Sequence, residues 1–108
     1  MTTKGDMPML NAAFIFLAPE ADPSAHRSTI DTPEISLTTI GVSTLEEAAA
    51  AAVEMVDKGC TAIELCGGFG IKGTYMVDQA VNGRARVGSV RFDIHPGLDN
   101  KSGDEIFK

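Results

Sequence analysis

Gly59-Cys60-Thr61-Ala62-Ile63-Glu64-Leu65-Cys66-Gly67-Gly68-Phe69-Gly70 is a short apolar run that breaks into a glycine cluster, with a helical pattern on either side. That is how a buried strand delivers a loop to a site, and it makes the chain an alternation of strands and helices. Gly67, Gly68 and Gly70 lack a Cβ, so they can take positive φ and turn their amides outward. If a helix starts near Gly73, its first amides and the positive end of its dipole point at the same spot, and the loop then suits an anion. The glycines are followed by neither the Lys-Ser or Lys-Thr of a Walker loop nor G-x-G-x-x-G spacing. The alternative is that they simply turn the chain.

Outward from this stretch, the helix before it is the clearest local feature. Ser43 and Glu46 form an S-x-x-E capping box, and Leu45, Ala49, Ala52, Val53 and Val56 fall on one helix face. Gly59 stands where a helix C′ glycine belongs. Upstream, Ala12 to Leu17 is apolar on both alternate faces and reads as a buried strand ended by Pro19, and Glu34 to Val42 reads as a second strand. Between them Asp22-Pro23 reads as an N-cap and first helical residue, predicting a short helix over Ser24 to Ile30 that carries His26 and Arg27. Downstream, Thr74 to Val81 reads as a helix closed by Gly83, and Arg86 to Asp93 as a fourth strand.

The expected fold is α/β: a small, mainly parallel four-stranded sheet with two main helices and one short helix. Two helices cannot cover both faces of such a sheet, so completion by homo-oligomerisation is expected. Residues 1–10 have the composition of a disordered N-terminal segment, 11–94 form one domain, and 95–108 are a polar tail or an oligomerisation arm.

The 108 residues suffice for one modest core. A net charge of −6 argues against nucleic acid, whose binding needs phosphate neutralisation by Lys and Arg. No signal-peptide pattern and no span-length apolar run is present, so no membrane association and a cytoplasmic location are expected. Cys60 and Cys66 would lie about 20 Å apart along an extended strand, too far for a disulfide. Two histidines and two cysteines without close ligand pairing predict no metal site, and the sequence names no cofactor.

Ligands of parallel sheets gather beyond the strand carboxyl ends. There Arg27 with Gly67, Gly68, Phe69 and Gly70 would hold a small phosphate- or carboxylate-bearing metabolite. Cys66 at the loop start could be a nucleophile, and the mid-strand Glu64 an acid/base. With His26 as base, either would make a small isomerase, lyase or hydrolase. The bland counterparts are a buried small hydrophobe for Cys66, an ion pair with Arg91 or with an Arg of a partner chain for Glu64, and a solvated helix for His26 and Arg27. A ligand-free oligomeric scaffold is the third reading.

Phe14-Ile15-Phe16-Leu17-Ala18-Pro19, His26-Arg27, Glu64 to Gly70 and Val87-Gly88-Ser89-Val90 together resemble a family of short bacterial proteins known as a domain of unknown function. The likeness runs from Ala13 to Phe92, with Glu-Leu-Cys-Gly-Gly-Phe-Gly its most distinctive part. It implies a small cytoplasmic α/β protein and carries no activity with it.

Overall fold

The computed structural model describes residues 9–92 and 94–107. Most of the expected N-terminal segment therefore lies outside the described residues. Strand β1 (Leu10–Leu17) is followed by β2 (Arg27–Asp31), β3 (Ile35–Val42), helix α1 (Leu45–Asp57), β4 (Ala62–Leu65), α2 (Ile71–Val81) and β5 (Arg86–Ser89). A 3-10 turn at Pro96–Leu98 and the short helix α3 (Gly103–Ile106) complete the order.

The class is α/β as expected, but among the described residues the sheet is mixed and has five strands in the order β2-β3-β1-β4-β5. The extra strand replaces the helix expected over Ser24 to Ile30. Asp22 does not cap a helix; its Oδ1 accepts from the Ser24 amide and hydroxyl, and its own amide donates to His26 Nδ1. That local ring of bonds turns the chain at once, because an Asp side chain bonds its own backbone two residues on as readily as it caps. Arg27–Asp31 then runs back antiparallel along β3, with Arg27 opposite Ile40 and Asp31 opposite Ser36.

The other pairings, β1 with β3, β1 with β4 and β4 with β5, are parallel. The connections β3-α1-β4 and β4-α2-β5 both advance toward β5, so right-handed crossovers put α1 and α2 on the same face of the sheet, where they pack on each other. The core lies between that face and the helices: Ala13 and Ile15 of β1, Ile40 and Val42 of β3, Ile63 and Leu65 of β4, closed by Leu45, Ala48, Ala52, Val77 and Val81. The link from β1 to β3 runs the other way and contains a strand where a helix would have covered the opposite face. Among the described residues no helix covers that face.

Helix α1 begins one residue later than the capping box placed it. Thr44 is the N-cap and its side chain accepts from the Glu47 amide, while Glu47 Oε1 accepts from the Ser43 amide and hydroxyl at 2.8 Å. The Ser43 bonds hold the Glu47 carboxyl below its ordinary range. At the other end Gly59 sits at φ +104° past the C-cap Lys58, the backbone state that a glycine stop requires.

Candidate functional site

Helix α2 starts at Gly70, which caps it with no side-chain bond of its own. The bonds come from the far end of the chain. Asp104 accepts from the Ile71 amide at 2.9 Å and the Lys72 amide at 3.0 Å, a carboxylate at the positive end of the helix. Asp104 belongs to α3, whose own N-terminus is a complete capping box between Ser102 and Glu105. The segment expected as a polar tail or an arm therefore folds onto the Gly loop of its own chain.

Gly67 and Gly70 are needed for room and not for backbone freedom. None of Gly67, Gly68 and Gly70 takes the positive φ expected of them; among the described residues only Gly59 and Gly83 are positive-φ glycines. A Cβ on Gly67 would run into the Phe92 ring, and one on Gly70 into the Asp104 carboxylate. On the tail side, a Cβ on Gly103 would collide with the Gly68 carbonyl. Phe69 points inward and belongs to the core.

Cys66 lies at the end of β4 with its Sγ 3.4 Å from two amides, those of Leu17 and Gly68, and it packs against the core beside Leu17. Cys60 is buried, and burial pushes its thiol up. Both cysteines are free. Glu64 projects from the bare face of the sheet; it is exposed and has no hydrogen bond or ion pair among the described residues, so the ion pair with Arg91 is not formed.

His26 and Arg27 sit at the far edge of the sheet, Arg27 as the first residue of β2 and His26 in the turn just before it. Arg27 is committed twice: Nε donates to the Pro23 carbonyl at 2.6 Å, and Nη1 and Nη2 donate to the two oxygens of Glu54 on α1 at 2.6 and 3.1 Å. Glu54 also accepts from Lys58, and Arg27 first, then Lys58, hold its carboxyl down at about 2. Three interstrand steps, roughly 14 Å, separate the strand of Arg27 from that of Cys66. One chain thus gathers Cys66 with Gly67, Gly68, Phe69 and Gly70, but leaves His26 and Arg27 elsewhere.

What sequence reasoning missed is the groove next to that loop. The outer edge of β5 and the first turns of α2 enclose about 580 Å³. Phe69 and Gly70 border it on the loop side, Ile71, Thr74 and Tyr75 on the helix, and Val87, Ser89, Arg91 and Phe92 along the strand edge, with Ser102 and Asp104 from the tail. Ile71 is 77% exposed and Tyr75 62%. The available signal was that Ile71 and Tyr75 are four apart, one helical turn, at the start of α2. The tail's capping box, Ser102 to Glu105, was legible by the same rule that found α1.

Among the described residues, fold and site together define a two-layer α/β protein with helices on one face of the sheet, none on the other, and a groove between α2 and the edge of β5. No helix among the described residues is long and apolar enough to cross a membrane. The chain belongs to the Family of unknown function (DUF6506), whose model matches residues 10–105. No curated protein and no solved structure matches it.

Proposed function

We propose that this chain binds a small organic acid in the groove between α2 and the Val87 to Phe92 edge, beside the Gly loop. The observation that carries the reading is the wall of that groove: Ile71 and Tyr75 are large apolar side chains left mostly open to solvent inside a concavity of about 580 Å³. A volume of that size is ordinary for a small-molecule site, and apolar surface held open in a cleft is what a ligand covers. Tyr75 offers a planar face to an apolar or aromatic body. Arg91 brings a guanidinium suited to a carboxylate or phosphate, and Thr74 and Ser89 bring hydroxyls that fix orientation.

The acid end meets the groove beside Arg91, whose Nη1 donates to the Phe92 carbonyl at 3.0 Å, rather than at the amides of α2. Ile71 and Lys72 already donate to Asp104, so an anion there would have to displace the tail. Arg27, held by Glu54, keeps a structural part.

A thermal-shift screen with carboxylate and phosphorylated metabolites tests this. A ligand at a hundredfold its Kd adds about 2.7 kcal/mol to stability. Tyr75→Ala and Arg91→Ala should each abolish the shift while Arg27→Ala leaves it in place. A shift that survives both groove variants would place the ligand elsewhere.

A further inference from the structure

We infer that the bare face of the sheet is the contact surface for a second copy of this chain, joined face to face about a two-fold axis. The strand registers put Leu10, Phe14, Phe16, Ile30, Ile35 and Leu37 on that face. None of them belongs to the core or packs against it. Leu10 and Ile35 are 42% and 43% exposed and Ile30 61%, so the surface is contiguous across β1, β3 and β2. Water-facing apolar sheet of this extent is rare in a protein that works alone.

Area and charge both favour a second copy as the occupant. The strands tile roughly 460 Å² of plane at about 3.3 Å per residue and 4.8 Å between strands. Two such faces remove about 900 Å² as flat planes, close to the roughly 1,000 Å² that a specific interface needs.

The charges are self-complementary. Glu64 aligns with Phe14 and Gly88, and Arg86 aligns with Ala62, one pleat repeat earlier on the same face. Both are exposed, and neither has a partner among the described residues. A two-fold axis perpendicular to the strands, midway between these rows, lays each Glu64 over the row that holds Arg86 of the second copy, and symmetry returns the reciprocal pair. The same operation sets Phe14 over Ala12 and Phe16 over Leu10, large residues against smaller ones. No other register of that axis satisfies both the charges and the phenylalanines.

Sedimentation equilibrium of the full chain at micromolar concentration tests the contact. The expected mass is twice 11.4 kDa, falling to 11.4 kDa for Ile30→Glu with circular dichroism unchanged. Glu64→Arg and Arg86→Glu should each raise the dissociation constant about tenfold or more by setting like charges together, and the double swap should restore it. A wild-type monomer overturns the inference, including one that adheres to vesicles or to a different protein through this face. So does a dimer indifferent to Ile30→Glu and to both charge swaps, or a double swap as weak as either single one. Ligand binding in the groove is on the helix side of β5 and is scored separately.

Discussion

Replacing Gly103 by Ala is expected to detach the C-terminal segment from the Gly loop. The added methyl would meet the Gly68 carbonyl, with the Gly68 carbonyl carbon at 2.8 Å and the Gly70 amide nitrogen at 2.9 Å. These are backbone atoms that cannot rotate aside, so the chain either strains, at about 1–3 kcal/mol for overpacking, or α3 lifts away. Lifting removes Asp104 from the Ile71 and Lys72 amides, a loss of about 1–2 kcal/mol for a helix cap. It also exposes the half-buried Phe107 ring, worth about 1 kcal/mol. The smaller of the two routes sets the cost, so about 1–3 kcal/mol is expected and no more, since a detached tail has nothing further to lose.

Urea unfolding reads this as a fall in midpoint of roughly 0.5–2 M, at about 1.5–2 kcal/mol per molar for a small domain. Hydrogen exchange should show the Ile71 and Lys72 amides losing protection at the same time. Asp104→Asn keeps the shape and removes the charge, and should cost about half as much. A Gly103→Ala midpoint within about 0.2 M of wild type, with those two amides still protected, would refute the docked tail.

Other outcomes follow from the ion pairs and thiols. The Glu54 carboxyl titrates near 2 when folded, below its ordinary value of 4.5, so its pair with Arg27 and Lys58 stabilises the fold above about pH 4.5 and is lost as pH falls toward 2. Glu54→Gln should flatten the stability profile in that window by about 1 kcal/mol or less, because the Glu54 side chain is more than a third exposed; an unchanged acid limb would contradict it. Under native conditions Cys66 should alkylate about tenfold or more faster than Cys60, whose thiol is buried and pushed up, and mass spectrometry showing equal rates would rule out the difference. Glu47→Ala should lower stability by about 1 kcal/mol through loss of the Ser43 bonds at the start of α1, read in the same urea assay.

How far the sequence could be read depended on whether a residue's role is local. Helix α1 was legible because Leu45, Ala52 and Val56 sit on one face and Gly59 terminates it, all within fifteen residues. Its cap was displaced by one position because Ser43, Thr44, Glu46 and Glu47 offer two overlapping boxes, and the structure uses Thr44 with Glu47. Strand β2 was misread because Asp22-Pro23 satisfies the rule for a helix start and equally that for a turn. The exposed pattern Arg27-Ser28-Thr29-Ile30-Asp31 carries no burial signal to decide between them. The partner of the Gly loop was beyond reach: Asp104 lies 33 residues from Ile71, and no period or spacing connects them. The groove was missed for the same reason, since it exists only once the tail and the edge of β5 meet α2.

The most direct test of the functional account is a nitrogen-15 amide titration of the wild-type chain with the best acid from the thermal-shift screen. The account predicts shifts that saturate together at Tyr75, Ser89 and Arg91, along the groove, with His26 and Arg27 unmoved. Saturable shifts at His26 and Arg27 with the groove amides silent would contradict it.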